Sequence, residues 1–290
     1  MEEFTMKVLV AVDQSPESQM ALRYTCHLME QADARIDAVY VRPDETDIVP
    51  ESVYGPFVGK EELAKWLEQQ QENVEEQVLG SCWVCEAVKT PCTPRIVTGD
   101  PADEILHIAH SEGYDLVVLG ASEHSAIKGF LLGTVHAKVL HHAQLPVLIV
   151  RNFRPIKRVV VAFRGSDCDQ AAMEFIAPLF FYRKPEITIL HISEKETRQH
   201  DGVAQACLMN GEKALSEFDH APVAKMACGN FVEELLKDVA AERYDLIVMG
   251  AYGIHRPKYA KLISDDALNI ARLTTRPVLV YREKTQHDGK

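Results

Sequence analysis

The sequence has no apolar stretch approaching the roughly 20 residues that cross a bilayer. Its start, "MEEFTMKVLVAVD", lacks the basic opening and small-residue cleavage site of a secretory signal. A cytoplasmic protein is therefore expected. Positive charge is scarce: 31 Lys and Arg stand against 43 Asp and Glu, for a formal charge of −12, and no long basic run occurs. Such a surface repels phosphate backbones and anionic lipid, so neither nucleic acid nor membrane is an expected partner. Cysteines number seven, an odd and scattered count that makes a poor disulfide framework and fits a reducing compartment. Also missing are the serine elbow G-x-S-x-G, the metalloprotease pattern H-E-x-x-H and the phosphate loop G-x-x-x-x-G-K-[ST]. A specific enzymatic activity is not expected, and slow hydrolysis of a bound nucleotide is the one catalytic option left open.

What the chain does have is repetition. "KVLVAVDQS" (Lys7 to Ser15) returns as "RVVVAFRGS" (Arg158 to Ser166), "GYDLVVLGASEH" (Gly113 to His124) as "RYDLIVMGAYGI" (Arg243 to Ile254), and "LPVLIVR" (Leu145 to Arg151) as "RPVLVYR" (Arg276 to Arg282). Three pairs in one order mean a tandem duplication. The join falls near Asn152 to Pro155, giving domains 1–153 and 154–290, each long enough to bury a core.

Within each half, runs such as "VLVAV", "LVVL" and "VLIV" lack in-out alternation, so they read as strands of a parallel sheet buried on both faces. Helix starts stand between them. Ser15-Pro16-Glu17 opens a helix to about Gln31, Asp100-Pro101 opens another, and Leu63, Leu67, Val74 and Val78 mark a helical face between Glu61 and Leu79. The order predicts an α/β fold of two tandem domains, each a five-stranded parallel doubly wound sheet with helices on both faces. Ligands of such sheets lie beyond the carboxyl ends of the strands, where strand order reverses. Asp13, Val41 and Gly120 all fall at such ends.

These motifs, with "TGDPADEIL" and "GTV", resemble the universal stress protein family in tandem two-domain form, whose fold is adenine nucleotide alpha hydrolase-like. The resemblance implies a regulatory role in stress response, an adenosine ligand (AMP or ATP, with Mg²⁺ if ATP), an as yet unidentified protein partner and an internal pseudo-dimer that can dimerise again. Nucleotide-binding members share Gly, two residues, Gly, nine residues, then Gly and Ser or Thr. In the first half Gly120, Gly133 and Thr134 match, but Glu123 replaces the second glycine. The resemblance places adenosine at Asp13 and Val41 and phosphates at Gly133, Thr134 and Val135. A carboxylate at Glu123 about 4 Å from one phosphate charge would cost roughly 4 kcal/mol at an effective dielectric near 20. Pairing with Lys128 or His124, exposure to water, or a bridging Mg²⁺ would relieve it. AMP or another adenosine compound is therefore favoured over ATP.

In the second half Gly250 and Gly253 are intact, but Ile263 and Ser264 stand where the closing Gly-Ser belongs, and Arg164 replaces Asp13. Arginine accepts no hydrogen bond, so an adenosine role is lost there. An anion site built from Arg164, Gly250, Gly253 and Ser264 is the remaining expectation. Elsewhere, Cys82 and Cys85 in "CWVC", with Cys92 nearby, read as buried inert thiols, because a zinc site would need a fourth ligand. His107, His110, His136, His141 and His142 read as ordinary surface or helix-end residues. Two further function classes stay open: a ligand-free interaction scaffold and a weak nucleotide hydrolase.

Overall fold

The computed structural model describes residues 5–42, 69, 72–82, 85, 90–121, 132–193, 201–251 and 265–283. Glu123, His124, Lys128, Gly253, Ile263, Ser264, Leu63 and Leu67 lie outside the described residues.

The first half runs β1 (Met6–Ala11), α1 (Pro16–Met29), β2 (Ala34–Arg42), a helical segment at 72–79, β3 (Cys92–Thr98), α2 (Pro101–Ser111), β4 (Leu116–Gly120), α3 (Thr134–His142) and β5 (Val147–Val150). The second half repeats the plan as β6 (Arg158–Phe163), α4 (Asp167–Leu179), β7 (Glu186–Ser193), α5 (Asp201–Ser216), β8 (Val223–Cys228), α6 (Phe231–Glu242), β9 (Leu246–Gly250), α7 (Asp265–Leu273) and β10 (Val278–Tyr281). Helix starts obey the capping signals. Ser15 accepts from the Ser18 amide, Asp100 from Ala102 and Asp103, Ser166 from Asp169 and Asn230 from Glu233.

The strands form one ten-stranded sheet in the order β3-β2-β1-β4-β5-β10-β9-β6-β7-β8. Every pairing is parallel except β5 with β10, where Val147, Leu148 and Ile149 lie antiparallel to Val280, Leu279 and Val278. Each half thus has the expected doubly wound order, and the apolar final strands cover each other's edges. Alternate residues of β1 enter different cores: Val8 and Val10 pack toward α1, Leu9 toward α2 and α3. Each of these cores continues across both halves.

The repeats explain further pairings. Asp115 accepts from the Lys7 amide at 2.8 Å, and Asp245 accepts from the Lys157 and Arg158 amides at 3.0 Å, so the conserved "YD" of the duplication anchors the start of each half's first strand. Arg151 and Arg282, which end the third repeated motif, reach across the pseudo-twofold. Arg151 Nη2 donates to the Ala271 carbonyl at 3.0 Å in the last turn of α7, while Arg282 Nη1 donates to the carbonyls of His141, at 3.2 Å, and Ala143 at the end of α3. Guanidinium charge there meets the negative ends of two helices.

The cysteine expectations fail, since two disulfides stand where the scattered count predicted none. Cys82, Cys85 and Cys92 are not inert thiols: Cys26 is bonded to Cys85 and Cys82 to Cys92, with Cα separations of 5.4 and 5.5 Å. The physical reason is tertiary. Cys26 lies on α1, 59 residues from its partner, and only the packing of α1 beside the turn at 82–85 brings them together.

Candidate functional site

The carboxyl ends of β1, β2 and β4 open onto a crevice of about 580 Å³, a size suited to a nucleoside ligand. Its wall includes Asp13, Val41, Gly120, Gly133, Thr134 and Val135. Six of the seven residues expected at a nucleotide site therefore converge, and the seventh, Glu123, lies outside the described residues.

Each arrives for a local reason. Asp13 follows β1 and is exposed; its Oδ1 accepts from the Ser15 amide at 2.9 Å and from the Ser15 hydroxyl at 2.5 Å, which fixes the carboxylate over the start of α1. Gly120 ends β4 against α1. An added Cβ would come within 2.2 Å of the Glu17 carbonyl oxygen and 2.7 Å of the Ser18 nitrogen, so glycine is required there for packing, independently of any ligand. Gly133 is the N-cap of α3 and supplies no side-chain acceptor. The first-turn amides of α3 therefore open onto the crevice without a capping side chain, unlike those of α1, α2, α4 and α6. The remaining wall is largely apolar, with Val39, Val74, Ile105 and Leu119 among its residues.

His136, expected to be ordinary, is a first-turn wall residue of α3 whose Nε2 lies 2.5 Å from the Gly120 carbonyl oxygen. That contact makes Nε2 the donor and leaves Nδ1 without a partner among the described residues. Burial lowers its pKa below the ordinary 6.5, more than the Gly120 contact raises it, so the ring is neutral at pH 7. No Lys or Arg is among the described wall residues. The described wall thus offers amide dipoles to an anion and no Lys or Arg charge.

The second half differs at the corresponding point. Arg164 lies within 3.6 Å of both Asp169 and Asp266, donates to the Gly250 carbonyl at 2.8 Å and stacks 4.7 Å from the Phe231 ring centroid. Asp169 is fully buried; it accepts from the Arg164 amide at 2.9 Å, as Ser18 accepts from the Asp13 amide at 3.0 Å in the first half. A carboxylate followed by serine has become an arginine followed by carboxylate. At Arg164 and Gly250, where an anion site is expected, the guanidinium already pairs with two carboxylates, and Gly253 and Ser264, the rest of that site, lie outside the described residues.

His191, at the end of β7, is 1 % exposed and, like His136, has its pKa lowered chiefly by burial. Their folded pKa values lie below 6.5, so stability is complete above that pH and is lost as pH falls beneath it, by up to about 1.4 kcal/mol per histidine per pH unit. Thermal midpoints measured from pH 7.5 to 5 are expected to fall below pH 6.5, and less steeply in His191→Phe. A flat profile, or an equal slope in the variant, would contradict this assignment.

The family model for the universal stress protein family matches residues 5–151 and again 155–282. Among curated proteins, Universal stress protein MJ0531 of Methanocaldococcus jannaschii is 27 % identical over 153 residues, covering 52 % of this chain and 84 % of that protein. Universal stress protein YxiE of Bacillus subtilis is 30 % identical over 152 residues, covering 50 % of this chain and 98 % of its own length. The crystal structure of a universal stress protein from Archaeoglobus fulgidus aligns over 95 % of this chain and 98 % of its own, with a TM-score of 0.71 at 20 % identity, and so shares the whole two-domain fold. With two successive family matches on one α/β sheet, the chain belongs to the universal stress protein family, in tandem two-domain form.

Proposed function

We propose that the first-half crevice binds an adenosine compound carrying few phosphates, AMP above ATP, and that the second half is a ligand-free scaffold completing the pseudo-dimer. The observation that carries this reading is the uncapped first turn of α3 opening beside Asp13 in a largely apolar crevice. Asp13 accepts from the ribose hydroxyls, the backbone at Val41 borders the base, and the amides of Gly133, Thr134 and Val135 receive a phosphate. The absence of Lys and Arg among the described wall residues favours one phosphate over three. Mg²⁺ is needed only if ATP binds. The ligand's contacts at Gly120 and at Gly133 to Val135 bracket 121–132. Occupancy then alters the surface presented to a protein partner in a cytoplasmic stress response.

Calorimetric titration with adenosine, AMP, and ATP with and without Mg²⁺ tests this. AMP is expected to bind more tightly than metal-free ATP, and Asp13→Ala to weaken AMP by about ten- to a hundredfold, the worth of hydrogen bonds to a charged group. Equal affinity in the variant, or tightest binding by metal-free ATP, would refute the assignment. Binding of none of them would favour the scaffold reading.

A further inference from the structure

Four of the seven cysteines gather at one place, at the amino ends of β2 and β3, the opposite end of the sheet from the crevice. Cys82 and Cys85 occupy a single turn, in which the Cys85 amide donates to the Cys82 carbonyl at 3.0 Å, and their partners come from α1 and the start of β3. Cys82 lies three residues beyond the segment 72–79, whose Val74 lines the crevice at the far end and whose Val78 is buried in the core.

The duplicated half serves as an internal control. Thr90 donates its amide to the Cys85 carbonyl as His220 does to that of Leu215, both at 3.2 Å, so Leu215 stands where Cys85 stands. Counted from the capping serines Ser166 and Ser15, Ala177 stands where Cys26 stands. Ala177 and Leu215 are fully buried, and the second half keeps the same fold with an apolar pair in place of the disulfide. The fold therefore does not require the Cys26–Cys85 bond, and the second half places Ala177 and Leu215 at its two positions.

We propose that Cys26, Cys82, Cys85 and Cys92 form a thiol–disulfide exchange site for a small thiol of the glutathione class, with the C-x-x-C turn passing the disulfide inward. Cys92 is half-buried, whereas Cys82, Cys85 and Cys26 are buried, so the outer bond is the point of entry. A thiolate attacks the Cys92 sulfur and expels the Cys82 thiolate, leaving a mixed disulfide on Cys92. The Cys82 thiolate then attacks Cys85, forms the Cys82–Cys85 bond and expels the Cys26 thiolate, which takes up a proton. A second small thiol clears Cys92, so two thiols are oxidised to one small disulfide and two protein thiols appear at Cys26 and Cys92. Two more small thiols reduce the Cys82–Cys85 bond. With α1 and β3 unlinked from the turn, the segment 72–79 is released at Val74.

The test is equilibration of the full chain in glutathione buffers from oxidised to reduced, acid quenching, alkylation and peptide mapping. The expected species are the oxidised pairs Cys26–Cys85 and Cys82–Cys92, then a two-electron form with Cys82–Cys85 linked and Cys26 and Cys92 alkylated, then four thiols in a still folded chain. Hydrogen exchange in 72–79 is expected to quicken about tenfold or more on full reduction, since the cross-links no longer resist local opening. In Cys92→Ser, which leaves Cys82 a thiol, mapping should return both Cys26–Cys85 and Cys82–Cys85. Four thiols at every glutathione ratio, one zinc per chain in the protein as isolated, bonds that yield only on denaturation, or unchanged exchange in 72–79 would each overturn the proposal. None of these readouts depends on a ligand in the crevice.

Discussion

Gly120→Ala is expected to destabilise the protein by roughly 3 kcal/mol, because overpacking against backbone has no side chain to relax. The added methyl would lie 2.2 Å from the Glu17 carbonyl oxygen and 2.4 Å from its carbon, so α1 must move away from β4. The thermal midpoint should fall by about 5–10 °C. Gly133→Ala is the matched control. Among the described residues its Cβ would meet the His136 ring, at 3.1 Å from Nδ1, and a side chain can turn aside. Its cost should be under about 1 kcal/mol. Equal losses in the two variants would show that α1 does not press on Gly120 as described. The family's first glycine thus has a packing reason before it has a ligand reason, and Gly250 repeats it: a Cβ there would lie 2.6 Å from the Asp169 carboxylate and 3.0 Å from the Asp169 nitrogen.

Arg151→Met and Arg282→Met are expected to cost about 2 kcal/mol each, because buried carbonyls at the ends of α7 and α3 would lose charged donors. These residues act between the halves rather than within either. Denaturant unfolding followed by fluorescence should therefore pass from one transition toward two in the double variant, as the halves uncouple. A double variant that keeps a single transition at the wild-type midpoint would show that the β5·β10 pairing and the shared cores suffice without the arginines.

The fold was legible because the duplication prints it twice. Buried strand runs, capping residues at Ser15, Asp100 and Ser166, and the apolar final strands each follow from local chemistry. Small departures are local too: α1 ends at Met29 rather than near Gln31. The wall of the crevice was legible through the family resemblance, since Asp13, Val41, Gly120, Gly133, Thr134 and Val135 come to one place. What escaped was whatever depends on distant elements meeting. Cys26 carries no local mark of its bond to Cys85, 59 residues away. His136 sits at helix spacing like its neighbours, and only its 2.5 Å approach to the Gly120 carbonyl oxygen places it in the crevice. Loss of the acceptor at Arg164 could be read directly, whereas its pairing with both Asp169 and Asp266 depends on elements meeting in space.

The asymmetry between the halves follows from these few positions. In the first, Asp13 borders an open crevice and the four cysteines lie at the opposite end of the sheet. In the second, Arg164 pairs with Asp169 at the corresponding point, and Ala177 and Leu215 replace the inner disulfide. One copy keeps the features of a responsive site and the other keeps the fold.

The most direct test of an occupied first-half crevice is mass spectrometry of small molecules released on denaturing freshly purified protein, beside Asp13→Ala prepared in the same way. An adenosine compound, AMP foremost, released by the wild type and lost or strongly reduced in the variant is the result expected. Release of nothing from the wild type, followed by no heat on titration with AMP or with ATP and Mg²⁺, would contradict the account and leave the crevice a remnant of the family's fold.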